Sequence, residues 1–283
     1  MQNDYKTKAF PQIRSSSRPL PETFSPRSAS LAVCGFHTPN FQELADLTVP
    51  GKQAYCERHG YAGSFRLYDD PSPFHKIEMI RELIAVYDAV LYIDCDAVIM
   101  NPSFPAAALI DKSDGQKVLT ITRDGIEGVN SGVFMVERCP EAIELLDWML
   151  QQDTIAEAMK DDWKEQRLLD NFVRMYPDLC RVLPQRVMNS ALRSEHAVYL
   201  YPWGDYEQGD WILHFGGMPY ERRVELARTW IPRASNDDMR RGIEALRVDL
   251  KGGSRTWVDI ESRLASIVNG TAHETQMDYS LDS

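Results

Sequence analysis

Apolar residues along this chain fall into two kinds of run. Short blocks rich in β-branched and aromatic residues have the length and composition of strands: "SLAVCGF" (30–36), "AVLYID" (89–94), "KVLTIT" (117–122), "SGVFMVE" (131–137), "RVL" (181–183) and "DWILHF" (210–215). Between them lie longer stretches with helical periodicity. In "PFHKIEMIRELIAVYD" (73–88), Ile77, Ile80, Ile84 and Tyr87 share one helical face, with Pro73 just ahead. "NFQELADLTVPGKQAYCERHG" (40–60), "PEAIELLDWMLQQ" (140–152, opened by Pro140) and "DDWKEQRLLDNFVRMY" (161–176) predict further helices. Such alternation predicts an α/β sheet with helices on both faces and ligands beyond the carboxyl ends of its strands. From about Tyr220 the pattern changes, and "ERRVELARTWI", "NDDMRRGIEALRVDL" and "TWVDIESRLASIV" predict a helical C-terminal extension. The expected organisation is a disordered arm (1–29), an α/β domain (30–220), the extension (221–270) and a flexible tail (271–283). No internal repeat is visible.

Composition narrows the function. A chain of 283 residues can bury one sizeable core with an appendage. Its formal net charge of −11 argues against nonspecific nucleic-acid binding, so no nucleic-acid partner is expected. The five cysteines are scattered and form no CxxC pair, which favours a reducing compartment and a cytoplasmic location. No apolar run approaches the ~20 residues that span a bilayer. The polar arm, rich in Ser, Pro and Arg, lacks the apolar core of a signal peptide, so a soluble protein is expected and the sequon at Asn269 carries no meaning.

The chemistry concentrates in "AVLYIDCDAVIMNP" (89–102), where an apolar run delivers Asp94 and Asp96 at a strand end. A turn or cap is the plain reading. Side chains at i and i+2 of an extended chain share a side, however, and two carboxylates so close repel unless a cation lies between them. Their oxygens suit Mn²⁺ or Mg²⁺, ions that keep positions for phosphate oxygens. "YIDCDAV" also resembles the D-x-D-x-[TV] strand end of haloacid-dehalogenase-type phosphatases, which would make Asp94 a nucleophile and Asp96 an acid/base. "GDYEQGD" (204–210) would then supply the second acidic motif and Lys160 or Lys164 the lysine. In that family the pair sits on the first strand. Here a strand and two helical segments precede it, and "VYLYPW", ahead of Gly204, contains a proline.

Resemblance to GT-A glycosyltransferases extends further, over roughly residues 30–225. "YCERHGY" (55–61), the lysine-led "KIEMIRELIAVYDAVLYIDCDA", "NSGVFMVE" (130–137) and "GDWILHFGG" (209–217) occur in this order. Together they resemble the galactosyl-, mannosyl- and xylosyltransferase family that includes the fungal α-mannosyltransferases and plant xyloglucan xylosyltransferases. The resemblance implies a GT-A fold, a Rossmann-like mixed sheet flanked by helices, and a metal-dependent enzyme using a UDP- or GDP-sugar donor. It implies transfer of a hexose or pentose to a glycan, glycolipid or other hydroxyl acceptor, with retention to give an α-linkage.

It also implies roles. Asp94, Asp96 and His214 would hold Mn²⁺ or Mg²⁺, and Lys76 would meet the diphosphate together with Asp94. Asn130, Ser131 and Gly132 would contact the sugar, while Gly216 and Gly217 would let backbone N–H groups approach the diphosphate. Glu165 and Gln166 would lie at the anomeric face, with Asp161 or Asp162 as the counterpart if the register slips a turn. A plain turn, a surface lysine and an exposed helix stripe are the corresponding structural alternatives. Two departures stand out. Pro219 occupies the position of a frequent lysine, leaving Arg222 or Arg223 to cover the leaving phosphate. The membrane anchor of eukaryotic members is also missing, as expected of a bacterial or viral enzyme or a trimmed catalytic domain. Base-reading residues are expected around "LAVCGFHTPN" (31–40) and "RLYDD" (66–70).

Overall fold

The computed structural model describes residues 30–110, 115–123, 128–192 and 205–234. The arm, Gly204, the segment "VYLYPW", the two predicted helices beyond 235, Asn269 and the tail lie outside the described residues.

Six strands form the main sheet: β1 (Leu31–His37), β2 (Ala62–Leu67), β3 (Ala89–Ile93), β5 (Leu119–Arg123), β6 (Val129–Glu137) and β7 (Cys180–Leu183). Their order is β2-β1-β3-β6-β5-β7. β2, β1 and β3 run parallel; β6 is antiparallel to both β3 and β5, and β5 is parallel to β7. The sheet is therefore mixed, as expected. Two short strands, β4 (Ala97–Ile99) and β8 (Ile212–His214), pair antiparallel in a small second sheet.

The central strand explains the architecture. Every residue of β3 is buried, and alternation divides them between two faces. Val90 and Tyr92 join the cluster capped by α2 (His75–Leu83), α3 (Pro140–Met149) and α5 (Lys164–Met175). Ala89, Leu91 and Ile93 join the opposite cluster, with Tyr55 of α1 (Gln42–His59), Val187 and Met188 of α6 (Gln185–Met188), and Trp211. A third cluster joins Leu44, Val98 and Phe215 to Val224, Leu226 and Ala227 of α7 (Tyr220–Trp230). The expected boundary at 220/221 thus falls one residue inside a helix that packs on α1. Among the described residues no helix is long and apolar enough to cross a membrane.

Several local expectations change. α2 stops at Leu83 rather than running to 88, because the chain must reverse into β3. The Asp88 N–H donates to the Ser30 carbonyl (2.8 Å), and the Asp88 carboxylate accepts from the Ser30 N–H (2.9 Å). β2, β4 and the short α4 (Gln152–Ala158) were not predicted. Residues 130–132 lie within β6, opposite a register shift at Ile121/Thr122, and are not a turn before it.

Candidate active site

β3 ends at Ile93 and the chain turns at once, the Ala97 N–H donating to the Asp94 carbonyl at 3.1 Å. Asp94 and Asp96 therefore face one place because of a tight turn between β3 and β4, and extended alternation is not the cause. β4 pairs with β8, setting Ala97 opposite His214. This pairing delivers the imidazole: ligand atoms of Asp94, Asp96 and His214 all lie within 4.8 Å of one another. Two carboxylates and an imidazole at this spacing fit the first shell of one divalent cation, whose bonds run ~2.0–2.6 Å.

Each ligand is held by a second group. His214 Nε2 lies 3.2 Å from Asp96 Oδ1, and its Nδ1 lies 2.8 Å from Oδ1 of Asn189, which fixes the ring. The Tyr92 hydroxyl donates to Asp94 at 2.7 Å. Asp96 is buried, which alone would raise its pKa. His214, Arg223 and Lys52 outweigh that burial and hold the carboxyl below the ordinary range. The imidazole also depends on two missing side chains. A Cβ on Gly132 would stand 2.2 Å from His214 Cε1, and one on Gly216 would stand 2.7 Å from it.

Lys76 is not a surface lysine. Buried beneath the cavity, its ammonium sits 2.8 Å from Glu165 Oε1 and 3.6 Å from Asp94 Oδ1, and donates to the Ser131 carbonyl at 3.3 Å. Burial disfavours the charge, but Asp94 and Glu165 reverse the balance and raise its pKa above that of an ordinary lysine. Glu165 and Gln166 are locked onto β6. The Ser131 hydroxyl donates to Glu165 (3.0 Å), and its N–H donates to Gln166 Oε1 (3.0 Å). Lys164, just before this pair, has φ 44°, a conformation that is sparsely populated for residues with a side chain. Lys76→Met is expected to leave Glu165 buried without its cation, costing about 3–5 kcal/mol in urea unfolding. Adding Glu165→Gln should restore part of that stability and none of the turnover.

These groups share one cavity of about 400 Å³. Asp94, Asp96, His214, Lys76, Asn130, Ser131, Gly132, Glu165, Gln166, Gly216 and Gly217 all line it. Asp162 does not. It is exposed, in the turn ahead of α5, while neighbouring Asp161 accepts from the Trp163 N–H (2.7 Å) and Arg167 (3.3 Å). Of the two arginines near Pro219, Arg223 reaches the site, 2.9 Å from Asp96 Oδ2, whereas Arg222 pairs with Glu225 at 2.6 Å. Phe36, His37, Thr38 and Phe41, from or next to the first stretch expected around the base, line the cavity, and so do Pro71 and Pro73, just after the second.

The phosphatase constellation does not assemble. Asp210 is buried in a two-pronged pair with Arg186 (2.9 and 3.0 Å) and accepts from Ser190 (2.8 Å), away from the cavity. Lys160 is exposed and paired with Glu157, and neither it nor Lys164 lines the cavity.

Sequence reasoning missed Lys52, Asn189 and Gln185. Lys52, 1% exposed, donates to the carbonyls of Asp94 (2.7 Å) and Cys95 (3.2 Å), pinning the acidic turn from below. Burial pushes its pKa down, and Cys95, Asp96 and Asp94 offset part of that shift. A signal existed, because Lys52 interrupts the buried stripe Leu44, Ala45, Thr48, Tyr55, Cys56 of α1. Nothing local marks Asn189 or Gln185.

A mixed sheet of this order, with an acidic turn beyond its central strand, is that of a GT-A glycosyltransferase. A glycosyltransferase involved in glycosylation of the major capsid of PBCV-1 superposes with a TM-score of 0.58 at 17% identity, over 71% of this chain and 99% of that one. Weaker likenesses include the galactosyltransferase LgtC in complex with donor and acceptor sugar analogues (TM-score 0.46, 12% identity, 70% and 96% covered). Mouse xyloside xylosyltransferase 1 is another (0.41, 12%, 67% and 99%). No curated protein sequence matches significantly. The family model of the galactosyl transferase GMA12/MNN10 family matches residues 31–112 and 105–225, and the chain belongs to that family.

Proposed function

We propose that this glycosyltransferase moves a hexose or pentose from a UDP- or GDP-sugar to a hydroxyl of a glycan or glycolipid, with retention and with a divalent cation, Mn²⁺ or Mg²⁺. The observation that carries this reading is the convergence of Asp94, Asp96 and His214 on the wall of the cavity that Lys76, Glu165 and Gln166 also line.

Asp94, Asp96 and His214 would hold the cation, and when bound it would supply positive charge opposite the donor diphosphate. Arg223 and Lys76 add fixed positive charge on either side of the acidic turn, where the leaving group carries its negative charge. Glu165 and Gln166 face the anomeric carbon. The Glu165 carboxylate, already satisfied by Lys76 and Ser131, stabilises developing positive charge there without becoming a nucleophile. The C1–O bond to the diphosphate breaks as the acceptor oxygen bonds C1 on the same face. The acceptor's proton passes to the departing phosphate oxygen.

The test uses the full chain with Mn²⁺ and UDP-glucose, UDP-galactose, UDP-xylose or GDP-mannose. At about 100 times Kd, a cognate donor adds about 2.7 kcal/mol, or roughly 5–10 °C in Tm. Slow Mn²⁺-dependent hydrolysis of the same compound should accompany it. Cleavage of p-nitrophenyl phosphate with no response to any nucleotide sugar would defeat the proposal.

A further inference from the structure

Among the described residues, Leu67, Val86, Met159, Trp163 and Met175 are the large apolar side chains left exposed, and Trp163 is the one that lines the cavity. It stands immediately ahead of α5 with 39% of its surface open. Both of its backbone polar groups are taken. Its N–H donates to Asp161 Oδ1 at 2.7 Å, and its carbonyl accepts from the Gln166 N–H at 2.9 Å. What it offers the cavity is therefore the indole, which has no ring contact and no hydrogen bond among the described residues. Covering apolar area is favourable, so an indole held open at a cavity wall favours a ligand that lies against it.

Position narrows the ligand. Glu165 and Gln166, two and three residues on, are tied to Ser131 of β6. Consecutive Cα atoms are 3.80 Å apart, so the Trp163 Cα lies within about 8 Å of that of Glu165. β3 separates β6 from β1, at whose end Phe36 and His37 line the cavity. The indole thus stands on the side of the transferred sugar and away from the nucleoside. Glu165 is buried and Trp163 is open, so this wall runs from the floor of the cavity to its mouth. A volume of about 400 Å³ is near the low end of the range for pockets that hold one ligand, about 300–1,000 Å³. A nucleotide sugar occupies such a space, and a second substrate that reaches its anomeric carbon has to lie in the mouth.

The chemistry suits a sugar ring. A pyranose carries hydroxyls around its rim and C–H bonds on its faces, and those weakly positive hydrogens meet the negative face of an aromatic ring. The indole N–H adds a donor for a rim hydroxyl. We infer that Trp163 is the platform of the acceptor subsite, its indole stacking on the sugar ring whose hydroxyl receives the transferred residue. This deepens the transferase reading and rests on it.

Trp163→Leu keeps an apolar side chain without the flat face, and Trp163→Phe keeps a face. Each is assayed with Mn²⁺ and whichever of UDP-glucose, UDP-galactose, UDP-xylose or GDP-mannose the wild type hydrolyses. Transfer is measured to the methyl α- and β-glycosides of glucose, galactose, mannose and xylose. Trp163→Leu should raise KM for the glycoside that is used about 10-fold and lower kcat far less. The Kd of the nucleotide sugar, read by calorimetry, should move less than 2-fold. Trp163→Phe should recover most of the loss. In the wild type, the same glycoside should shift tryptophan emission to the blue at concentrations near its KM, and Trp163→Leu should show no shift. An unchanged glycoside KM or equal losses in the Leu and Phe variants would overturn the assignment. So would nucleotide-sugar binding weakened as much as the glycoside, which moves Trp163 to the donor. A wild type that hydrolyses a donor but neither uses nor responds to any glycoside also overturns it, and leaves the transferase reading standing. If no donor is hydrolysed, the transferase reading fails first and the role of Trp163 fails with it.

Discussion

Asp96→Asn is expected to lower Mn²⁺-dependent hydrolysis of the nucleotide sugar about 10³-fold, while the chain still folds. The amide fits the same space and can still meet His214, now 3.2 Å from the carboxylate. What disappears is the charge that draws three cationic or imidazole groups to one point: His214, Arg223 at 2.9 Å and the Lys52 ammonium under the turn. Mn²⁺ affinity, read by calorimetry, should fall by at least the 10–100-fold seen when ligand-supporting groups are removed. The stability loss has a defined pH dependence. The carboxyl is held below its ordinary range, so its stabilising effect is complete above about pH 4–5 and is lost only as pH falls towards the lowered value. Wild type and variant should therefore converge in stability as the pH falls below about 4. Near-wild-type turnover in the variant would remove Asp96 from the site.

Gly132→Ala should be nearly as damaging, although it deletes no ligand. The added methyl would stand 2.2 Å from His214 Cε1 and 2.9 Å from both His214 Nδ1 and Asn130 Oδ1. The ring cannot retreat freely, because Asn189 holds its Nδ1 at 2.8 Å while Nε2 faces Asp96 at 3.2 Å. Displacing the imidazole breaks its contacts to Asn189 and Asp96 together. A fall of more than 10²-fold in hydrolysis is expected, with an overpacking cost of about 1–3 kcal/mol. In a His214→Ala background the same methyl should have almost no further effect on turnover. A full additional loss there would mean that Gly132 acts through something other than His214.

Much of this molecule follows from local pattern. The fully apolar run 89–93, the periodic helix behind Lys76 and the acidic pair at the strand end are written into consecutive residues. Backbone periodicity needs only near neighbours to choose strand, helix or turn, so those elements could be anticipated. β2 and β4 could not: β2 has six residues but no buried run and becomes a strand by pairing along the edge of β1, and β4 has three and pairs with a partner more than 100 residues away.

Sequence by itself determined the α/β class, the acidic turn beyond the central strand, and the ordered motifs that carry the family resemblance. Tertiary structure alone decided which residues meet. His214 comes from 118 positions beyond Asp96, Arg223 and not Arg222 turns to the site, Asp162 stays in solvent, Lys52 pins the turn from below and Asn189 fixes the imidazole. The reason is physical: side-chain convergence depends on strand pairing and helix packing between distant segments, and no run of adjacent residues contains that geometry.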